Sequence, residues 1–171
     1  MGLLGSHQFD TLEDLFCQQL EDLYDAEVRL TKALPKMVDA AHMPGLKEAF
    51  REHLRETEHH VERLEQIFQQ LGREPSRETC AAMKGLISEG EEMIQAKGDD
   101  AVKDAALVAA AQRVEHYEIA SYGTARTFAT RLGHNAAALL LEETLEEEKA
   151  TDLKLTLIAE QAPNPQAAAR T

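Results

Sequence analysis

The sequence has few of the residues that build β-sheets. Aromatic residues make up 5% of its 171 positions, β-branched residues are sparse, and no segment alternates polar and apolar residues with a period of two. Strands favour such residues because they pack well on a pleated, half-buried surface. The sequence therefore predicts an all-α protein, and its length is that of one domain with a core of its own.

Long apolar segments and paired cysteines are also missing. The longest apolar runs, residues 105–111 and 136–141, are far shorter than the about 20 residues that span a bilayer. The first residues lack the basic start and apolar stretch of a secretory signal, so we expect a cytoplasmic location. Cys17 and Cys80 form no spaced ligand cluster, and we expect two buried thiols rather than a disulfide.

Basic residues are too few to balance the acidic ones. The chain has 31 acidic and 18 basic side chains, which gives a formal net charge of -13. Such a charge repels the phosphates of nucleic acids and anionic membrane surfaces. We therefore predict metal cations as partners, and neither nucleic acid nor membrane.

Helical periodicity dominates instead. It predicts four long helices, which begin near Thr11, near Leu46, at Asp99 or Asp100, and at Asn135. Residues 73–99 contain proline, several glycines and a weaker helical pattern, and they predict a long crossover that carries a short helix. Two helical hairpins joined in this way form a four-helix bundle. We expect the bundle over residues 10–160, between a flexible N-terminus (1–9) and a flexible tail (161–171).

Each long helix has an apolar stripe that is interrupted near its midpoint by groups able to bind metal. These groups are Glu27, then Glu56 with His60, then Glu115 with Glu118, then Glu148 with Asp152. Unpaired carboxylates on a buried face cost several kcal/mol, so they must be neutralised together. A rise of about 1.5 Å per residue places all four interruptions about 22 to 28 Å from the turns of their hairpins. The sequence therefore predicts one shared polar layer.

Six carboxylates and one imidazole are enough ligands for two metal ions. An oxygen-rich set favours iron or manganese over zinc or copper. Taken alone, a glutamate such as Glu27 is more often a residue at the stripe edge that reaches solvent, and an acidic run such as the one that contains Glu148 is usually a solvated face. Tyr122 lies on its stripe as either a core tyrosine or a hydroxyl that reaches the layer. His53 is either a core histidine or a hydrogen-bond partner of a ligand.

Five segments carry a family resemblance: Asp22–Glu27, His53–His60, Cys80–Ile87, Glu115–Gly123 and Glu146–Asp152. Over about residues 11–160 the chain resembles the YciF/YciE-type bacterial ferritin-like proteins. The resemblance implies a ferritin-like fold, a dinuclear metal centre, a homodimer and an association with bacterial stress responses.

The motifs of the second and fourth helices differ from a related pattern. Rubrerythrin-like relatives usually carry Glu-x-x-His on both helices. Here Glu56 is followed by both His59 and His60, of which His60 lies on the stripe, and Asp152 stands where histidine is common. We therefore prefer His60 to His59 and expect His60 and Asp152 to anchor one ion each, and the departure at Asp152 makes the site more anionic.

Three functions remain open from the sequence. The leading hypothesis is a non-haem protein with two Fe ions, or Mn, per chain that reacts with oxygen or peroxide in stress protection. The second is iron binding and storage. The third is a structural role without catalysis, either as a metal-dependent dimer or as a metal-independent interaction module. The predicted ligands are Glu27, Glu56, His60, Glu115, Glu118, Glu148 and Asp152.

Overall fold

Helices account for all of the regular structure in the part of the chain that is described. The computed structural model describes residues 8–169. Its helices are α1 (Leu12–Ala40), α2 (Pro44–Gln70), α3 (Ala81–Gln95), α4 (Asp100–Leu132), α5 (Asn135–Gln161) and α6 (Pro163–Ala168). The predicted all-α class is confirmed.

Local sequence signals fix the ends of two long helices. Thr11 caps α1, since its hydroxyl accepts from the backbone N–H of Asp14 at 3.1 Å while the Asp14 carboxylate accepts from that of Thr11 at 2.9 Å. Gly133 ends α4 with φ 81°, a left-handed conformation that glycine adopts without strain. The next N–H, of His134, donates to Ala129 O at 2.9 Å and closes the turn into α5.

The four long helices pack around a shared interior. Helix α1 contacts α2 and α4, α5 contacts α2 and α4, and α3 lies across α1 and α4. One apolar cluster, with Phe16, Leu64 and Leu145, fills one end of the interior. A second cluster, with Phe50 and Leu107, fills the other end. The midpoints of the four helices lie between these two clusters.

The C-terminal segment is helical where the sequence predicted a frayed tail. Residues 163–168 form α6, which contacts α4 and α5, and Pro163 is buried. Proline suits the first position of a helix because its missing N–H would have no helical partner there. Flexibility of residues 161–171 stays a prediction, and most of the N-terminus predicted to be flexible lies outside the described residues. None of the described helices is long and apolar enough to cross a membrane.

Candidate metal centre

Five of the seven predicted ligands lie buried in one polar layer between the two apolar clusters. These five residues, each at most 1% exposed, are Glu27, His60, Glu115, Glu118 and Glu148. They come from all four long helices. The helical repeat explains the pattern, because positions three or four residues apart share a face and that face is the one each helix buries.

The His60 imidazole is oriented by contacts on both ring nitrogens. Its Nδ1 atom lies 3.0 Å from Glu148 Oε1 and 3.4 Å from Glu27 Oε1, inside the layer. Its Nε2 atom lies 2.9 Å from Glu147 Oε2 on the outer side. A proton on Nε2 that is donated to Glu147 leaves the Nδ1 lone pair facing the buried carboxylates. His59 is exposed, so the structure places His60 in the layer.

Arg63 holds Glu147 in this position. Its guanidinium donates to Glu147 Oε2 at 2.5 Å and to Glu147 Oε1 at 2.9 Å. Sequence analysis missed Glu147, which it treated only as part of an acidic run. The available signal was the placement of Arg63 one turn after His60, where a guanidinium can hold a carboxylate against the imidazole.

His53 lies two turns before His60 and takes a similar position on the other side of Glu148. Its Nε2 atom is 3.3 Å from Glu115 Oε1 and 4.0 Å from Glu148 Oε2, and its Nδ1 atom is 3.6 Å from Glu56 Oε2. Each imidazole therefore faces the layer with one nitrogen and a more exposed carboxylate with the other. Sequence analysis gave His53 at most a supporting role, whereas the structure places it among the candidate ligands.

The buried side chains form two groups that could each hold a metal ion. One group contains His53, Glu115, Glu118 and Glu148, and the other contains Glu27, His60 and Glu148. Within each group one ligand atom per residue lies within 4.8 Å of the others. Glu148 belongs to both groups. A carboxylate in that position can bridge two ions.

Glu56 and Asp152 lie at the margin of the layer, with side chains 31% and 23% exposed. Glu56 accepts a hydrogen bond from Thr151 at 3.3 Å, and Asp152 accepts one from Gln112 at 3.0 Å. Their neighbours in sequence, Thr57 and Thr151, are buried in the interior instead. The structure brings neither carboxylate into the two groups, and their predicted metal ligation stays a prediction.

Many polar atoms of the layer have no hydrogen-bond partner of ordinary geometry among residues 8–169. They are Glu27 Oε2, both ring nitrogens of His53, His60 Nδ1, Glu115 Oε2, and both carboxylate oxygens of Glu118 and Glu148. Buried polar atoms are nearly always satisfied, because leaving one unpaired costs about 1 to 3 kcal/mol. In their metal-binding forms, the carboxylate oxygens and one nitrogen of each imidazole are lone-pair donors that face one another. A shared cation fits such a set.

Without a cation, protons must relieve the repulsion in the layer. Burial, together with the charge of Glu148, raises the pKa of Glu115 and of Glu118 well above the ordinary 4.5. Burial disfavours a charged His60, but the charge of Glu27, the hydrogen bond with Glu147 and the close carboxylate of Glu148 raise its pKa to about 12. Metal binding must therefore displace protons from these ligands.

Tyr122 reaches the layer. Its hydroxyl, on a fully buried ring, donates to Glu27 Oε1 at 2.5 Å. Burial and the charge of Glu27 raise the pKa of Tyr122 well above its ordinary value, so the phenol keeps its proton. The alternative of a tyrosine that only packs in the core is not what the structure shows. Tyr122 fixes the position of one candidate ligand.

The comparisons with known proteins agree with this description. Residues 11–168 match the family described as a domain of unknown function, DUF892. The chain belongs to this family. Protein YciF of Escherichia coli (strain K12) is 51% identical to it over 150 residues, which cover 87% of this chain and 90% of the relative. The resemblance to YciF-type proteins that we predicted from the sequence is thus confirmed.

Solved structures extend the comparison. The crystal structure of the E. coli stress protein YciF matches with a TM-score of 0.88 and 50% identity, covering 91% of this chain and 99% of that one. A two-domain protein from Anabaena variabilis that contains a ferritin-like domain matches with a TM-score of 0.61. At 18% identity, with 91% of this chain and 38% of that one covered, the second match shows a shared fold alone.

Proposed function

We propose that this chain is a ferritin-like four-helix bundle, with α3 in its crossover, that holds a dinuclear non-haem metal centre. The observation that carries the proposal is the pair of buried ligand groups that share Glu148. Two separate groups joined by one carboxylate suit two ions better than one. The lone pairs without partners supply the reason why the chain would bind them.

The charges of the layer support two divalent ions. Glu27, Glu115, Glu118 and Glu148 carry four negative charges when ionised, and two divalent ions carry four positive charges. Glu27 and His60 Nδ1 would hold one ion, His53, Glu115 and Glu118 the other, and Glu148 both. Carboxylates outnumber imidazoles in this set, which favours iron, with manganese as the alternative.

Reaction with oxygen or peroxide is the chemistry that we propose for the centre. A pair of Fe(II) ions held by these residues would supply the electrons for such a reaction. The packing of the four helices leaves the layer residues at most 3% exposed, and Tyr122 holds a proton at Glu27 Oε1. E. coli YciF is described as a stress protein, and this supports a place for the chain in bacterial stress protection.

Metal analysis combined with oxidation kinetics tests this function. Metal-free protein should take up two Fe(II) per chain under anaerobic conditions, and exposure to oxygen or peroxide should oxidise them. Glu148→Ala should abolish binding of both ions. Glu146→Ala is a matched control, because Glu146 is exposed on the same helix and contacts Lys149 instead.

Two outcomes would contradict parts of the proposal. Uptake of a single ion would exclude a dinuclear centre, and uptake of two ions without oxidation would exclude the oxidant reaction.

The homodimer that the resemblance implies also remains a proposal. Sedimentation would test it, and a cage-sized species would favour storage instead.

A further inference from the structure

An apolar cleft leads from the protein surface to the polar layer. It lies between α1, α3 and α4, and its space is about 500 Å³ when the part open to solvent is counted. Its walls are aliphatic and include Leu34, Met37, Ile87, Ile94, Ala111 and Val114. His53 and Glu115 line its inner end, where both belong to one of the candidate ligand groups. The cleft therefore extends from the surface to two residues of the candidate metal centre.

The charges along the cleft do not suit an ionic occupant. Besides His53 and Glu115, its charged lining residues are Lys36 and Glu91, which lie at the surface and are 57% and 42% exposed. Lys36 Nζ contacts Glu91 Oε1 at 2.6 Å, so each charge is already paired. Between the aliphatic walls, an anion or a cation would lose its hydration without gaining a counter-charge. The occupant should be small and uncharged.

Gly90 keeps this cleft open from the α3 side. It lies inside α3 and is buried, yet a Cβ atom at this position would meet no neighbouring group within 4 Å. Glycine is less favourable inside a helix than alanine or leucine, so a larger residue would favour the helical state of α3 while its side chain entered the cleft. Gly85 offers the matched comparison, because it lies in the same helix, also has free space, and is exposed.

We propose that this cleft is the route by which dioxygen reaches the metal centre, and that its apolar walls select dioxygen over hydrogen peroxide. This inference rests on the proposed function and deepens it by naming the oxidant. Dioxygen is apolar, so it can enter the space between such walls without losing hydrogen bonds to water. Hydrogen peroxide is a donor and acceptor, and it must give up those bonds among aliphatic side chains.

Xenon binding tests the route without any metal. Xenon is an apolar gas that occupies apolar cavities, and crystals of the metal-free protein can be pressurised with it. We expect xenon in the cleft of the wild type and of Gly85→Leu, and none in Gly90→Leu. Gly90→Ala, a smaller change, should reduce xenon occupancy partially. A wild-type cleft that takes up no xenon would overturn the proposal.

Oxidation kinetics test the selectivity. In Fe(II)-loaded Gly90→Leu, oxidation by dioxygen should slow by about tenfold relative to the wild type and Gly85→Leu, while oxidation by hydrogen peroxide should keep its rate. Equal slowing with both oxidants, or no slowing in a variant that excludes xenon, would overturn the proposal. Wild-type protein that binds Fe(II) but is oxidised by neither reagent would overturn the proposed function, and with it dioxygen as the occupant, even where xenon binds.

Discussion

Asp25 and Glu27 lie two residues apart on α1, and both are buried, but their carboxylates have opposite surroundings. Asp25 accepts hydrogen bonds from Arg29 at 2.5 Å, from Arg77 at 2.6 Å and from the backbone N–H of Cys80 at 2.9 Å. Glu27 accepts one bond from Tyr122, and its Oε2 has no hydrogen-bond partner in the described chain. Asp25 thereby ties α1 to the crossover and to the start of α3.

The same contrast separates Asp104 from Glu118 on α4. Asp104 accepts from the backbone N–H groups of His42 and Met43, at 2.8 and 2.7 Å, and so fixes the turn between α1 and α2. Neither oxygen of Glu118 has a hydrogen-bond partner among residues 8–169. Burial of a carboxylate is therefore no sign of a metal ligand by itself. What distinguishes the polar layer is that the protein supplies too few donors for its acceptors.

Among the changes that test this contrast, metal removal should have the largest effect on stability. A ligand at about 1,000 times its Kd stabilises the native state by about 4 kcal/mol per site. For a chain of this size, each kcal/mol corresponds to about 2 to 4 °C in Tm. We therefore expect Tm to rise by about 10 °C or more with saturating Mn(II) or anaerobic Fe(II), measured against chelator-treated protein. Equal Tm values in protein shown to be metal-free at the start would contradict the metal centre.

Removal of a satisfied carboxylate should destabilise the protein whether or not metal is bound. Asp25→Ala leaves Arg29 and Arg77 without their shared acceptor, and we expect a loss of about 3 kcal/mol in the free energy of unfolding. Urea unfolding in the presence of chelator measures the loss. Metal uptake per chain should stay unchanged, because Asp25 faces the crossover rather than the polar layer.

Glu118→Gln is the corresponding change at a buried carboxylate without hydrogen-bond partners. The metal-free variant should be as stable as the wild type or more stable, because a source of like-charge repulsion is gone, whereas its metal affinity should fall. If Asp25→Ala and Glu118→Gln cost the same stability in chelator, the distinction between the two kinds of buried carboxylate would be wrong.

The outer partner of His60 should have a smaller effect, confined to one ion. In Glu147→Gln, the His60 ring loses the carboxylate that holds its proton on Nε2, and the affinity for one of the two ions should fall by about 10- to 100-fold. Competitive metal titration measures this affinity. Glu143→Gln is the control, because Glu143 also contacts Arg63 but is exposed and does not contact His60. A comparable loss in the control would assign the effect to Arg63 alone.

The two kinds of carboxylate should also change the stability of the metal-free protein in opposite directions as the pH rises. Burial acts to raise the pKa of Asp25, but hydrogen bonds from Arg29, Cys80 and Arg77 hold it below the ordinary 3.8. Its contribution is present above that value and is lost as the pH falls through the folded-state pKa. The pKa values of Glu115 and Glu118 are raised, so their contribution is full below about 4.5 and is lost as the pH rises through the folded-state pKa.

Metal-free protein should therefore be most stable at mildly acidic pH and should lose about 1 kcal/mol or more towards pH 8. Saturating Mn(II) should remove this alkaline loss, because bound cations hold the carboxylates in their ionised form. Urea unfolding at several pH values, with and without Mn(II), measures both profiles. A metal-free protein that grows more stable from pH 5 to pH 8 would contradict the pKa directions given for the layer.

The sequence predicted the layer well because helix geometry is local. Residues three or four apart share a helix face, and each residue adds a fixed rise. These two rules alone place Glu27, Glu115 and Glu148 at one height in the protein. The stripe pattern cannot distinguish a residue from its neighbour, because the rotation of a helix about its axis is set by packing. For this reason the pattern predicted Glu56 and Asp152 as inward-facing residues. In the structure, their neighbours Thr57 and Thr151 take the inward positions.

Contacts between helices were the other part that sequence could not supply. The pairing of His60 with Glu147 depends on how closely α2 approaches α5, and nothing in the acidic run indicates which carboxylate will meet the imidazole. The place of His53 among the candidate ligands likewise depends on its distance to Glu115 on α4. These are tertiary distances, whereas periodicity describes one helix at a time.

The position of the polar layer between two apolar clusters affects how long a metal ion would stay bound. Helix ends fray easily, whereas the middle of a packed bundle opens only when much of the fold opens with it. The candidate ligands lie at the midpoints of α1, α2, α4 and α5, and an apolar cluster packs on either side of them. Local fraying therefore does not expose them. The residence time of a bound ion becomes a property of the whole bundle rather than of its ligands alone.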